Sequence, residues 1–207
     1  MSAKRPIVLL LILGGSFAIL LFSIRHGYTD AVDADLRGWA LGTNTPTSLA
    51  IWKAVTVMGS VAVISSLTFL SLGLFIVQKN WFAARRLSLA MGGAVVLELS
   101  IKWIVQRPRP DEVYLNTMPT SSSFPSGHAL YSFAFYLTIA TIISRSNFGS
   151  WRNGSWIAAI LIVAAIGASR IFLGVHYGSD VLGGYLIAAT WLTAFPIWTH
   201  NNLVESV

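Results

Sequence analysis

Six apolar stretches, residues 7–24, 49–77, 87–105, 129–143, 156–173 and 181–198, constrain this chain more than any motif in it. Runs of that length suit a bilayer, where about 20 mostly apolar residues in a helix cross a hydrocarbon core of about 30 Å. Inside lipid every backbone polar group must be satisfied within its own element, so each run predicts a helix. Composition agrees: 55% of the 207 residues are hydrophobic and 11% charged, against about 25% charged in a soluble domain. Six spans consume about 120 residues, leaving loops and one membrane-embedded site but no separate soluble domain. The expectation is one domain over residues 1–207, an all-α integral membrane protein built as a six-transmembrane-helix bundle.

The first stretch follows Lys4 and Arg5, as in a signal peptide, but no small-residue cleavage site follows closely, so it reads as an uncleaved span. Loop lysines and arginines set orientation. Lys4, Arg5, Lys79, Arg85, Arg86, Arg145 and Arg152 fall on one side, and Arg25, Arg37, Lys53, Lys102, Arg107, Arg109 and Arg170 on the other, which is a tie. The first group faces the cytoplasm only when Lys102, Arg109 and Arg170 are set aside as site residues. Trp39, Trp52 and Trp103 then lie near one interface and Trp81, Trp151, Trp156 and Trp198 near the other, as in aromatic belts; a chance spread is the alternative. Val32, Leu36, Trp39 and Ala40 recur at helical spacing among Asp33, Asp35 and Arg37, which suits a short interfacial helix or an irregular loop. The charge of +6 and pI near 10.0 do not point to nucleic acid, because neither a basic face nor a binding module accompanies them. With no cysteine in the chain, disulfides, thiolate nucleophiles and cysteine zinc sites are excluded.

Three polar clusters interrupt the apolar pattern. Pro108 and Pro110 disfavour helix at Arg107 and Arg109, so the third span should end near Gln106, with Lys102 in its last turn and Arg109 in extended chain beyond. Both cations can converge on one point, or simply snorkel at the interface. Phe124-Pro125-Ser126-Gly127-His128 opens the fourth span, where Gly127 lets a ligand approach first-turn N–H groups that lack helical partners. The plain alternative makes Ser126 an N-cap and His128 an interfacial histidine. Between the fifth and sixth spans Arg170 closes one helix, Gly174 permits a turn, and His176 and Asp180 come together if the next helix begins early. A carboxylate beside an imidazole keeps one nitrogen protonated and frees the other as a nucleophile; a structural ion pair is the alternative. In a six-span chain all three clusters meet the same compartment, which favours a single composite anion site.

Three cations, a helix start, two histidines and a carboxylate, with no cluster of acidic metal ligands, suit phosphoryl transfer. Lys102, Arg109 and Arg170 can stabilise the charge on the equatorial oxygens, while Ser126 and the Gly127 N–H add hydrogen bonds. His176 can attack phosphorus with Asp180 behind it, and His128 can protonate the leaving group and then activate water. Lys102 with Arg109 and Pro110, then Pro125 through His128, then Ser169, Arg170, His176 and Asp180 have the form K-x6-R-P, P-S-G-H and S-R-x5-H-x3-D. On these residues, within about 98–184, the chain resembles the type 2 phosphatidic-acid phosphatase superfamily. The resemblance implies a six-helix membrane phosphatase with no required metal or other cofactor and a phosphohistidine intermediate. It implies His176 as nucleophile, His128 as general acid and base, Asp180 as the group orienting His176, and Lys102, Arg109, Ser126, Gly127 and Arg170 as phosphate-binding. Together with the edited charge count it implies a bacterial inner-membrane protein whose active site lies at the extracytoplasmic interface.

Glu98, four residues before Lys102, is expected as its helical ion-pair partner. Arg107, Asp111 and Glu112 are expected in a solvated loop, and His26 and His200 have no assigned role. The segment 116–124, rich in Ser and Thr, either covers the site or recognises a headgroup. The expected substrate is a lipid phosphate or diphosphate, with undecaprenyl diphosphate first and phosphatidylglycerophosphate or phosphatidic acid as alternatives. Its partners are that substrate and membrane lipids, with no nucleic acid and no obligate protein partner. A phosphate-lipid binding or transport protein is the competing class, and an inactive relative of the fold is the third.

Overall fold

A computed structural model describes residues 4–111, 114, 120–145 and 152–204, with side chains over 6–111, 114, 120–145 and 152–194. The described residues form eight helices: α1 (Lys4–Arg25), α2 (Asp30–Gly42), α3 (Pro46–Val57), α4 (Val61–Val77), α5 (Trp81–Val105), α6 (Gly127–Arg145), α7 (Arg152–Phe172) and α8 (Gly178–Val204). The chain is an all-helical integral membrane protein. Five helical segments among the described residues are long and apolar enough to cross a membrane: Pro6–Arg25, Pro46–Val77, Trp81–Val105, Gly127–Arg145 and Arg152–Phe172. The sixth expected span falls on α8, part of which lies outside the residues with described side chains.

The second expected span is two helices. Its apolar run breaks at Met58–Gly59–Ser60, where Ser60 turns the chain and its Oγ accepts the Val63 N–H at 3.3 Å. Upstream, Thr45 and Ser48 cap α3 reciprocally, with N–H to Oγ distances of 3.1 and 2.8 Å, and Pro46 takes the first helical position, where its missing N–H costs nothing. The two halves have different neighbours: α3 packs on α7, and α4 on α5 and α6. Val57, Met58 and Val61 carry hydrophobicity through the break, so hydropathy alone reads the run as continuous.

At the centre stands α6, in contact with α4, α5, α7 and α8. Its buried residues, Ala129 through Ser132, Ala134, Phe135, Thr138, Ala140 and Ile142, lie on more than one face, as expected of a helix packed against several neighbours. Leu130 and Ala134 meet Ile64 of α4, Leu87, Met91 and Ala94 of α5, and Ala188 of α8 in one core. α7 buries Ala159, Val163, Ile166 and Arg170 on one face and turns Ile157, Ile160 and Leu161 outward. α1 packs against α8, and the exposed apolar side chains of α1, α4 and α5 form a surface suited to lipid rather than water.

The segment between the first two spans is helical, the first of the two expected readings, and it buries a carboxylate on its inward face. Val32 and Trp39 are exposed, whereas Asp33 and Ala40 are buried; a carboxylate anchors α2 to the rest of the protein. The linker to α3 covers the C-terminus of α7. Asn44 Nδ2 donates to the Phe172 carbonyl at 2.8 Å, and the Phe172 ring stacks on Trp52 at 4.5 Å and meets Trp39 edge-on at 5.4 Å. Elsewhere, the Arg145 guanidinium lies 5.5 Å from the Phe82 ring, so the end of α6 meets the start of α5, as the loop-charge grouping expects. Trp151 and the side chain of Trp198 lie outside the described residues.

Candidate active site

The site begins where α5 stops. Gln106 adopts a left-handed conformation (φ 49°, ψ 37°) and its N–H bonds the Lys102 carbonyl at 3.1 Å. The chain then runs without helix through Pro108 and Pro110, as the proline spacing predicts. Arg107 and Arg109 flank Pro108 and have different destinations: Arg107 reaches Asp33, Ser179 and Asp180, whereas Arg109 turns to Ser121 and His176. Arg109 donates from Nε to the Ser121 carbonyl at 2.8 Å and from Nη1 to the Val175 carbonyl at 2.9 Å and His176 Nε2 at 3.1 Å. The hydroxyl of Ser121 lies 3.2 Å from both Arg109 Nη2 and Lys102 Nζ, bringing the first cluster's two cations to one oxygen.

The third cluster is folded back on the end of α7. Gly174 takes a positive φ of 70°, which a side chain would resist, and the turn it makes lets the Val175 and His176 N–H groups bond the Arg170 carbonyl at 3.1 and 3.3 Å. α8 starts at Gly178, after His176, so the pairing with Asp180 comes from this turn and not from a shared helical face. A guanidinium can only donate, so the Arg109 contact assigns His176 Nε2 as an acceptor and places the ring proton on Nδ1. That nitrogen faces Asp180 Oδ2 and Ser123 Oγ, each at 3.4 Å. The separation exceeds a formed bond of about 2.7–3.2 Å. Asp180 is held by other donors: its Oδ2 accepts the Tyr177 N–H at 3.0 Å and the Ser123 hydroxyl, and its Oδ1 accepts Arg107 Nη1 at 2.6 Å.

Ser126, Gly127 and His128 of the second cluster reach the same place from the start of α6. The Ser126 N–H bonds the Asp180 carbonyl at 3.0 Å, and its buried hydroxyl has no hydrogen-bond partner. A Cβ at Gly127 would lie 2.9 Å from Glu98 Oε1, so the start of α6 comes close to the Glu98 side chain. Glu98 is buried, pairs with Lys102 Nζ at 2.8 Å as expected, and accepts the Tyr131 hydroxyl at 3.2 Å. His128 lies within electrostatic reach of Arg170, His176, Lys102 and Arg109. Arg170, only 3% exposed, donates from Nη1 to the Thr56 hydroxyl at 2.5 Å, while its buried Nε has no partner. Neither Arg109 nor Arg170 is in salt-bridge contact with a carboxylate among the described residues, so an anion entering here meets two guanidinium groups that no carboxylate touches.

The structure thus brings together all eight expected site residues. It moves Arg107 out of the expected solvated loop into a buried ion pair, and adds Asp33, Thr56, Ser121 and Ser123, which sequence reasoning did not assign to the site. Within 116–124, the described Ser121, Ser122 and Ser123 bond to Arg109, to the Arg107 carbonyl and to Asp180. Glu112 and His200 lie outside the described side chains, and Asp111 is exposed as expected. His26 contacts the Phe22 carbonyl at 2.9 Å and the rings of Phe22 and Tyr28. A cleft of about 490 Å³ opens over Lys102, Arg109, Ser121 and Ser122, and Trp103, 77% exposed, stands at its rim.

Burial, opposed by Asp180 and reinforced by Arg170 and Arg109, pulls His176 down to about 4. The ring is then neutral at physiological pH, the form whose Nε2 carries a lone pair. If that lone pair acts on substrate, the acid limb of a kcat/KM profile is expected near pH 4, with activity lost as pH falls through it. The same displacement below the ordinary value of about 6.5 means the unfolded chain binds the His176 proton more readily between those values. This stabilising contribution is complete above about pH 6.5 and is lost as pH falls to about 4, which thermal melts across that interval would register.

A helical membrane protein whose extended loop and two helix junctions gather arginines, a lysine, a histidine–aspartate pair and an orphan serine hydroxyl belongs to the class built to handle phosphoryl groups. The sequence pattern of the PAP2 superfamily matches residues 83–203, more than half the chain, and the protein belongs to that superfamily. Phosphatidylglycerophosphatase B of Bacillus subtilis is 28% identical over 172 residues, 82% of this chain and 84% of the relative. An undecaprenyl-diphosphatase of Sulfolobus acidocaldarius is 30% identical over 114 residues, 53% of this chain and 51% of that protein. The crystal structure of the transmembrane PAP2 type phosphatidylglycerolphosphate phosphatase from Bacillus subtilis superposes with a TM-score of 0.83 at 26% identity, covering 94% of this chain and 96% of that one.

Proposed function

We propose that this protein is a lipid phosphatase that hydrolyses a phosphate ester or diphosphate at the membrane surface through a phosphohistidine formed on His176, without a required metal. The observation that carries this reading is the orientation of His176, whose Nε2 meets Arg109 while Nδ1 faces Asp180. An arriving phosphate draws the guanidinium of Arg109 onto its own oxygens and leaves the Nε2 lone pair facing phosphorus. The N–P bond forms as the bond from phosphorus to the leaving oxygen breaks, and His128 delivers a proton to that oxygen. Asp180 holds the Nδ1 proton, so the positive charge that develops on the ring is offset. Water then attacks phosphorus, His128 takes its proton, and the N–P bond breaks to release phosphate and restore the neutral imidazole. Lys102, Arg109 and Arg170 carry the charge of the equatorial oxygens, with Ser126 and the Gly127 N–H completing the seat.

The substrate's chains remain in the bilayer along the exposed face of α5, with Trp103 at the boundary, while the headgroup occupies the cleft. Phosphatidylglycerophosphate becomes the first substrate to test, ahead of undecaprenyl diphosphate. Likeness to the Bacillus phosphatase extends over four-fifths of both chains, whereas the undecaprenyl-diphosphatase matches about half. The site faces outward from a bacterial inner membrane in this reading. The test is phosphate release by purified protein in detergent with excess chelator, offering phosphatidylglycerophosphate, undecaprenyl diphosphate and phosphatidic acid at equal surface concentration. Release from at least one is expected, with phosphatidylglycerophosphate fastest. No release by folded protein from any of the three would shift the assignment to binding or transport.

A further inference from the structure

We propose that Asp33 on α2 and Arg107 form a positioning pair that holds Asp180 against His176 and makes the short helix α2 a working part of the phosphatase site. The inference rests on His176 being the nucleophile. Asp33 is 4% exposed on a 13-residue helix whose neighbouring Val32 and Trp39 face outward. A buried carboxylate is costly unless it is paired and hydrogen-bonded, and this one is: Oδ2 accepts Arg107 Nη2 at 2.9 Å and the Ser179 hydroxyl at 2.5 Å, and Oδ1 accepts the Ser179 N–H at 2.9 Å. Arg107 spends its other arm on the catalytic side, donating from Nη1 to Asp180 Oδ1 at 2.6 Å and to Ser179 Oγ at 2.7 Å. Its guanidinium carbon lies 4.3 Å from the Tyr177 ring centroid. With both arms committed to carboxylates 147 residues apart in sequence (180 − 33), Arg107 serves Asp180 rather than the phosphate.

Two consequences follow for His176. Arg107 occupies Oδ1 of Asp180, so the carboxylate is oriented with Oδ2 toward the imidazole. Asp33 takes up part of the Arg107 charge, so Asp180 is not wholly neutralised from behind and keeps its hold on the Nδ1 proton. Neutralising Asp33 directs the full guanidinium charge at Asp180, and the imidazole then protonates less readily and becomes a weaker nucleophile. The other groups acting on His176 are Arg109 from the extended loop, Arg170 from α7, Ser123 from the segment before α6, and His128 across the site. None of them touches Asp33, so its effect is separable from theirs.

The experiment compares wild type, Asp33→Asn, Arg107→Lys and His176→Ala in the chelator assay, recording kcat, KM, the kcat/KM pH profile and the melting temperature. Asn keeps an oxygen for the Ser179 N–H, and Lys keeps charge without the two-armed fork. The expected result is a fall in kcat of about a hundredfold, the size that a misplacement of about 1 Å produces, with KM changed by less than about threefold. The acid limb moves to lower pH in Asp33→Asn. Unchanged kcat in both folded variants, or a loss of activity matched by loss of folded protein with the acid limb unmoved, overturns the proposal. If only one variant folds, the same criteria apply to it; if neither folds, the pair is structural and the proposal is overturned. Activity in His176→Ala equal to wild type, or a wild type inactive on every lipid, removes the phosphatase reading itself and the pair's role with it.

Discussion

Replacing His176 with alanine is expected to reduce phosphate release by about 10⁴-fold or more, the scale seen when a covalent nucleophile is removed from a cooperative site. The geometry argues that this loss reports chemistry rather than unfolding. Asp180 retains Arg107, the Tyr177 N–H and the Ser123 hydroxyl when the imidazole is gone, so no buried carboxylate is stranded. The turn above Arg170 is held by backbone N–H groups that alanine also possesses. The variant should therefore elute and melt close to wild type while forming no acid-labile phosphoprotein. Lipid binding should survive, because Lys102, Arg109 and Arg170 are untouched. A transporter would instead keep its flux in this variant. Wild-type hydrolysis by the folded variant would rule out His176 as the nucleophile.

Arg170→Lys is expected to cost about 10²- to 10³-fold in kcat, about 3–4 kcal/mol of transition-state stabilisation. The side chain is buried with its Nη1 on Thr56 and its Nε free of partners, so the guanidinium can hold the protein with one arm and present others to a phosphoryl group. A lysine ammonium is a point charge that cannot do both in a planar arrangement. The carbonyl of Arg170, which receives the Val175 and His176 N–H groups, is unaffected by the change, so His176 stays in place. Steady-state kinetics separate the two roles: kcat should fall far more than KM rises, since the charge being stabilised is greatest in the transition state. A change confined to KM would assign Arg170 to ground-state binding alone.

The expectations that succeeded rest on local chemistry. Pro108 and Pro110 end helix α5 wherever the rest of the chain goes, because the ring of proline acts on the residue before it. Gly174 is legible as a turn for a similar reason, and Glu98 and Lys102 as neighbours because four residues make one helical turn. The break at Met58–Ser60 was hidden because apolar residues flank it on both sides and only Ser60 signals a cap. Asp33 and Arg107 were hidden because their partners are distant: 74 residues separate them, and no local rule distinguishes an acid bound for burial from one on a solvated face.

The amino-acid sequence by itself determined the membrane-spanning helical class, since lipid selects long apolar runs, and it marked out the three polar clusters that interrupt those runs. Only the tertiary structure decided which cations face the cleft and which stand behind the carboxylate, and how the short helix α2 is tied in through Asp33. Those outcomes depend on distances between segments far apart in the chain. They are settled when helices pack and buried charges must find partners.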